Sequence, residues 1–290
     1  QQLFGYLDKE ALSVTALFVA VCVLVLVFLL WCVLLLPRRG QPGWEKLAGV
    51  RYAHRGLHDL SLGIPENSLA AFRRAVDQGL GAELDVHLMA DGNLAVVHDS
   101  DLTRVCGKSV QIEDLTAADL KDYPLQGTAE TIPLLEDVLA VFAGRTPLVV
   151  ELKVERGNAV PLTDKTMSLL EQWDGDYCLE SFHPSAVRYL REKYPQAIRG
   201  QLSENFRRDK QVGGLSRFQR LAMTWLLTTV LTRPDFIAYR WEDRRNLSLR
   251  LMKRLYGVHV VYWTIRDPGA LAQAEAQGAT GIFENFVPKQ

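Results

Sequence analysis

The rhythm of apolar and polar positions changes twice along this chain. From Ala16 to Leu36 no residue is charged, and nearly every position is Val, Leu, Phe, Ala, Cys or Trp. About 20 apolar residues span the hydrocarbon of a bilayer, so this run predicts a transmembrane helix over about 16–36. A core helix would be shorter and would carry a polar face. A cleaved signal peptide fits poorly, because Asp8, Lys9 and Glu10 precede the run in place of a basic cluster and no small-residue cleavage site follows. Pro37-Arg38-Arg39-Gly40-Gln41-Pro42-Gly43 is rich in turn formers and opens a linker over 37–49.

Past the linker, short β-branched and apolar runs alternate with amphipathic stretches. Strands are expected over 50–54, 82–86, 148–154, 177–183, 198–202, 236–240, 258–265 and 281–283. Helices are expected between them, over 68–78, 132–143, 164–173, 185–193, 247–256 and 268–276. Eight strands alternating with helices over roughly 240 residues match a (β/α)8 TIM barrel. A doubly wound open sheet is the rival. The expected organisation is an N-terminal segment 1–36 with the transmembrane helix, the linker 37–49, and a barrel domain 50–290. Asp91-Gly92 is a two-residue turn signal and predicts a hairpin inserted after the second strand. With that turn Ala90 pairs with Asn93, and counting back puts Asp85 opposite His98.

Charge and cysteine content narrow the options. Formal net charge is -1. The basic footprint of a nucleic-acid binder is missing, so nucleic acid is not an expected partner. Cys22 and Cys32 lie in the apolar run, and Cys106 and Cys178 have no CxxC spacing. Neither a disulfide framework nor a zinc site is expected, and free thiols fit a reducing compartment. Arg38, Arg39 and Lys46 follow the apolar run, whereas Lys9 alone precedes it. The positive-inside rule then gives a single-pass membrane protein with its barrel in the cytoplasm.

Successive strand side chains alternate faces, so Glu83 and Asp85 share one face, as do Glu151 and Lys153. Inward polar residues near the C-terminal strand ends of a barrel read as catalytic. Three carboxylates gathered in a buried site are costly unless a cation or positive side chains compensate them. All-oxygen ligation favours a hard divalent cation, Mg²⁺ or Ca²⁺, over zinc. The competing reading is a structural ion pair of Glu83 or Glu151 with Arg55 or Lys153. His54 and His98 each follow a strand-like run and suit proton transfer near neutral pH. Arg55 offers a planar fork for phosphate oxygens and Lys153 a second positive charge. The combination points to phosphate ester chemistry more than to glycoside hydrolysis, which paired carboxylates alone would fit.

These residues fall in an ordered set: His-Arg-Gly (54–56), Pro-Glu-Asn-Ser (65–68), Glu-Leu-Asp-Val (83–86), Asp-Gly (91–92), His-Asp (98–99), Glu-Leu-Lys (151–153), Ser181-Phe182 and Trp263-Thr264. The set resembles the glycerophosphodiester phosphodiesterases over about Val50 to the C-terminus. Each tripeptide is weak alone, but the order and spacing together are specific. The resemblance implies a (β/α)8 barrel related to that of phosphatidylinositol-specific phospholipases. It also implies hydrolysis of a phosphodiester to an alcohol and a phosphomonoester such as glycerol 3-phosphate. By that resemblance Glu83, Asp85 and Glu151 look like ligands of one divalent cation, and His54 and His98 like the acid–base pair. Arg55 and Lys153 look like phosphate contacts, and Glu66 orients Arg55. Trp263 packs against the glycerol or alcohol group in this reading, a core tryptophan being the alternative, and His183 is a candidate for the barrel mouth.

One departure stands out. The family often has Thr-Asp after Gly-Ile and an apolar residue near the last strand, whereas this chain reads Gly281-Ile282-Phe283-Glu284-Asn285. Local contacts or substrate fit are therefore in question there. A second feature bears on substrate. In 206–233, Arg207, Arg208, Lys210, Arg217 and Arg220 precede an apolar stretch. Leu215, Phe218, Ala222, Trp225, Leu226 and Thr229 fall near helical spacing. Basic residues beside an apolar Trp-containing face suit an interfacial helix on membrane lipid, the alternative being an ordinary barrel helix. The favoured activity is hydrolysis of a glycerophosphodiester. A phospholipase D or lysophospholipase D type of cleavage of membrane lipids is the alternative. A catalytically silent barrel that binds lipid or a partner is the reading from another class. Which histidine is acid and which base, and whether water or a substrate hydroxyl attacks, stay open at the level of sequence.

Overall fold

A computed structural model describes residues 2–38, 40, 43–208 and 215–289, with side chains from residue 14 onward. Arg39, Gln41 and Pro42 of the linker and Lys210 of the basic segment lie outside the described residues. The elements in chain order are α1 (Gln2–Leu34), β1 (Tyr52–His54), α2 (Leu69–Asp77), β2 (Gly81–Leu88), β3 (Leu94–Val96), α3 (Thr103–Cys106), α4 (Leu135–Phe142), β4 (Leu148–Leu152), α5 (Ala159–Leu170), β5 (Tyr177–Ser181), α6 (Pro184–Lys193), β6 (Arg199–Ser203), α7 (Arg217–Thr224), α8 (Thr229–Thr232), β7 (Phe236–Arg240), α9 (Leu247–Tyr256), β8 (His259–Ile265), α10 (Pro268–Ala276) and β9 (Thr280–Phe283). β1 pairs in parallel with both β2 and β9, and the ladder continues through β8, β7, β6, β5 and β4 back to β2. Eight parallel strands thus close a TIM barrel. β3 hangs antiparallel on β2 outside the closed ring.

Alternation along the strands builds the barrel in layers. Tyr52, Val149, Cys178, Leu202, Phe236, Ala238, Val261 and Ile282 form one buried cluster inside the ring. Aromatic bulk there excludes side chains from two strand positions. A Cβ on Gly81 would lie 2.7 Å from the Tyr52 ring, and one on Gly200 would lie 2.2 Å from Phe236. Two residues nearer the C-terminal strand ends, the same inward rows carry His54, Asp85, Glu151, Glu180, Trp263 and Glu284. The barrel is therefore apolar below and polar at its mouth. A second cluster, with Leu84, Val150, Leu179, Ile237 and Phe283, joins the outward strand faces to the helices.

The linker does more than connect. Trp44–Lys46 forms a single 3₁₀ turn in which Trp44 is buried, and Leu47 is buried beside it. Trp44 stacks on His259 with ring centroids 4.6 Å apart and lies 5.2 Å from Phe236, which closes the barrel floor. The Tyr52 hydroxyl donates to the Leu47 carbonyl (3.1 Å) and ties the plug to β1.

The hairpin after β2 is present, but its register differs by one residue from the expected one. Val86 pairs with Val96 and Leu88 with Leu94, and the Val97 amide donates to the Asp85 carbonyl (3.1 Å). The amides of Met89 and Gly92 bond to the carbonyls of Asn93 and Met89, so the loop has three residues and ends on Gly92 at φ 83°. A turn followed by a left-handed glycine is the usual three-residue solution, and it places Val97 opposite Asp85 in place of His98.

The segment 206–233 is not one helix. α7 stops at Thr224 because Leu226 takes φ 57°, its amide bonds to Met223, and Leu227 reaches back to Ala222 (2.8 Å). This is a Schellman closure with leucine in the place glycine usually takes. The expected apolar face is split: Phe218 is exposed, whereas Leu226 and Thr229 are buried.

Candidate active site

Three inward carboxylates meet at the barrel mouth. Glu83 and Asp85 sit two residues apart on β2, and the parallel register sets Asp85 beside Glu151 of β4. Glu83, Asp85 and Glu151 are buried, and each offers an oxygen within 4.8 Å of the others'. Burial, then the charges of Asp85 and Glu151, push the Glu83 carboxyl well above its usual range. Burial also raises Glu151, against the pull of Lys153. Burial works the same way on Asp85, but Lys153, His98 and Arg55 outweigh it and hold this carboxyl well below its usual range. A cluster that can ionise fully only with more positive charge, built of oxygen donors alone, fits a hard divalent cation.

The cations are placed around this cluster. Lys153 Nζ lies 2.9 Å from both Asp85 Oδ1 and Glu151 Oε2, so an ion pair and a carboxylate cluster coexist. Arg55 stands at φ 55°, which turns its amide onto Glu83 Oε2 (3.0 Å) and its Nε to 3.6 Å from Asp85 Oδ2. Glu66 accepts from Arg55 Nη1 at 2.8 Å, and Asn67 Nδ2 donates to Asp85 Oδ2 at 2.9 Å. Glu66 also accepts from Arg104 (2.7 and 3.0 Å). Burial would raise the Glu66 carboxyl, but the two guanidiniums hold it down at about 2.

Each histidine is held by a carboxylate. His54 Nδ1 lies 2.6 Å from Glu284 Oε2, and its Nε2 lies 3.9 Å from Glu83. Burial pushes the His54 imidazolium down to about 4, only partly opposed by Glu284. Burial is likewise overcome at Glu284, which His54 and Arg266 hold at about 2. The carboxylate is acceptor only, so His54 carries its proton on Nδ1 and leaves the Nε2 lone pair facing the cluster. His98 Nδ1 lies 2.6 Å from Asp99 Oδ1, and Arg104 Nε donates to the other Asp99 oxygen. His87, on β2, bridges Glu113 (2.6 Å) and the His98 carbonyl (3.2 Å), pinning the backbone that carries His98.

Trp263 stands on the inward row of β8, edge-on to Phe182 at 5.4 Å, with its buried indole N–H unpartnered among the described residues. His183 caps α6 and lines a cavity of about 670 Å³ at the mouth. That cavity runs from Glu151 and Lys153 past Phe182, Phe206 and Phe218 to Leu231.

The model of the glycerophosphoryl diester phosphodiesterase family matches residues 54–289, a span that takes in every element of this site. The chain belongs to this family. It is an enzyme of the glycerophosphodiester phosphodiesterase type. Lysophospholipase D GDPD1 of Rattus norvegicus is 32% identical over 270 residues, covering 82% of this chain and 83% of the relative. A glycerophosphodiester phosphodiesterase of Bacillus altitudinis is 30% identical over 155 residues, covering 50% of this chain and 62% of that one. The structure of an Oleispira antarctica phosphodiesterase in complex with the product sn-glycerol-3-phosphate shares the fold. Its TM-score is 0.65 at 23% identity, covering 83% of this chain and 94% of the other.

Within this phosphodiesterase, His54, Arg55, Glu66, Glu83, Asp85, His98, Glu151 and Lys153 are brought together, with Trp263 on the facing wall. Reading the sequence missed Glu284 as the partner of His54, and Asp99, Arg104 and His87 as supports of His98. It also missed Glu180, an inward carboxyl beside Glu151 that burial and that neighbour push well above its usual range. Alternation from Cys178 through Glu180 was the available signal.

Proposed function

We propose that the chain hydrolyses a glycerophosphodiester to an alcohol and glycerol 3-phosphate. His54 and His98 transfer the protons, and Glu83, Asp85 and Glu151 would hold a divalent cation, Mg²⁺ or Ca²⁺. The observation that carries this reading is the cluster of three buried carboxylates flanked by two histidines, each oriented through Nδ1 by its own carboxylate. A bound cation there would neutralise charge developing on the phosphate oxygens.

The protein's own groups do the rest. Arg55 and Lys153 hold the diester's phosphate by charge-assisted hydrogen bonds. His54, neutral at pH 7 because burial lowers it to about 4, takes the proton of the attacking oxygen on Nε2. That oxygen forms the new bond to phosphorus as the bond to the departing alcohol breaks. His98, on the solvent side, delivers a proton to the leaving oxygen, and Asp99 orients its ring through Nδ1. Glu284 and Glu66 act by orientation, on His54 and Arg55. Trp263 presents its unpartnered N–H to the substrate's glycerol oxygens.

A lysophospholipid substrate is a second reading. It is supported by the aromatic cavity from Lys153 past Phe182 and Phe206, which offers an acyl chain an apolar path. α1 is read as a membrane anchor, since its Val14–Leu34 stretch is long and apolar enough to cross a bilayer, and the basic flank favours a barrel on the cytoplasmic side. Phosphomonoester release from glycerophosphocholine, glycerophosphoglycerol, lysophospholipids and phosphatidylglycerol, with and without chelator, tests the reaction, its substrate and its cation. Chelator-sensitive release from one or more members is expected. No release from any in added Mg²⁺ or Ca²⁺ would overturn it.

A further inference from the structure

The 21-residue apolar stretch of α1 is about 31 Å long, which matches the hydrocarbon thickness of a bilayer. Its last residues therefore stand at the headgroup level, and so does whatever is bonded to them. Trp31 donates to Ser248 (3.2 Å) and meets Trp225 edge-on at 5.9 Å. The carbonyls of Cys32 and Leu34 accept from Tyr256 (2.8 Å) and Thr229 (2.9 Å). The foot of α1 is thus clamped to α8, α9 and the turn after α7.

Two further observations mark the same face. Outside α1, five of the nine exposed large apolar side chains among the described residues lie on α7, α8 and α9: Phe218, Leu221, Leu231, Leu247 and Leu255. Phe218 is 75% exposed and Leu255 52%. Leu247, Leu251 and Leu255 recur every four residues and form one row on α9. Beside that row, Arg244, Arg245, Arg250, Lys253 and Arg254 line a cleft of about 480 Å³ that no acidic residue lines. In a chain of formal net charge -1 this is a local excess of cations. Apolar side chains interleaved with cations that have no acidic partner among the described residues, at headgroup depth, match an anionic lipid surface.

We infer that the face formed by α7, α8 and α9 is a seat on which the barrel lies against an anionic leaflet. The catalytic cavity opens at its rim, beside Phe218 and Leu231. On this arrangement a lipid diester enters sideways from the leaflet, and its acyl chain never crosses water. The inference rests on α1 being a membrane anchor and on the phosphodiesterase reading above, but its test needs no turnover.

The test is photocrosslinking of the full chain in vesicles of phosphatidylcholine with or without phosphatidylglycerol. p-Benzoylphenylalanine replaces Phe218, Leu247 or Leu255 on the seat, or Leu62 or Val160 elsewhere, with thermal melts to check folding. Lipid adducts are expected at the three seat positions and none at Leu62 or Val160. They should be stronger with phosphatidylglycerol, and Arg250→Gln with Arg254→Gln should remove that gain. Equal adducts at all five positions, or none on the seat, would overturn the seat. Adducts indifferent to phosphatidylglycerol would overturn its anionic character. Absence of phosphodiesterase activity in the unsubstituted chain, with adducts intact in the variants, would instead count against the catalytic reading.

Discussion

His54 Nδ1 and Glu284 Oε2 lie 2.6 Å apart, although 230 residues separate them in the chain. β1 and β9 are neighbours only because the barrel closes, and the contact forms across that closure. Arg266 Nε donates to the other Glu284 oxygen at 2.6 Å and fixes the carboxylate. Glu284→Gln keeps the shape but can present its amide N–H to Nδ1, which favours the wrong tautomer. The expected result is a fall in kcat of about 10²-fold or more with KM little changed, the size usual for general-base catalysis. Steady-state kinetics on a soluble glycerophosphodiester check it, and an unchanged kcat would remove Glu284 from the mechanism.

The pH dependence has a definite sign. His54 is lowered to about 4 in the fold, whereas an unfolded histidine titrates near 6.5. The unfolded chain therefore binds this proton first. The contribution to stability is fully present above pH 6.5 and is lost as pH falls towards 4. It amounts to at most about 3 kcal/mol. His54→Ala should show a flatter fall in stability across that window than the parent, by urea unfolding in chelator. In the parent enzyme the acid limb of kcat/KM should lie well below pH 6.5.

His54→Ala and His98→Ala should each lower turnover by about 10²–10⁴-fold while the rise in Tm on adding Mg²⁺ or Ca²⁺ persists. Near-normal activity in either variant would sink the proton-transfer assignment.

Much of this architecture is legible from one sequence, and the failures have identifiable causes. Strand 236–240 and helices 247–256 and 268–276 match the structure at both ends, because cap and period agree there: Asn246 and Asp267 each cap the helix that follows. The helix expected over 164–173 instead runs over Ala159–Leu170, with Pro161 in its first turn, where proline costs little because the N–H groups there are unpaired. The hairpin register slipped because Asp91-Gly92 fits both a two-residue and a three-residue loop. The carboxylate cluster could be read from period-two alternation within β2 and β4. Glu284, Arg104 and the Trp44 plug could not, since each works through a contact that only the closed ring creates.

Lys153 gives a prediction with two opposed parts. Its ammonium is 2.9 Å from two carboxylates that would also bind a cation. Lys153→Met removes that competitor and the compensating charge together. The cation-free protein should lose about 3–5 kcal/mol, because a buried carboxylate loses its partner. Added Mg²⁺ or Ca²⁺ should then raise Tm by more than in the parent. Turnover should still fall by about 10²–10³-fold, since a phosphate contact is gone. Glu151→Gln should instead abolish the cation-dependent rise. Thermal melts paired with kinetics separate the two, and an unchanged cation response in Lys153→Met would mean the carboxylates do not hold the ion.

The barrel floor gives a stability prediction remote from the site. Trp44 is buried, stacks on His259 and packs against Phe236, although it belongs to a stretch that reads as linker. Removing the indole exposes the lower cluster of the barrel and leaves a cavity whose walls are strands and cannot collapse far. Trp44→Ala should therefore cost about 3–5 kcal/mol. The carboxylate cluster lies at the opposite end of the strands, so kcat measured well below the new Tm should be close to the parent's. Urea unfolding read beside kinetics checks both halves. A loss under about 1 kcal/mol would show that 44–47 is a tether only, since surface changes typically stay within about half a kcal/mol.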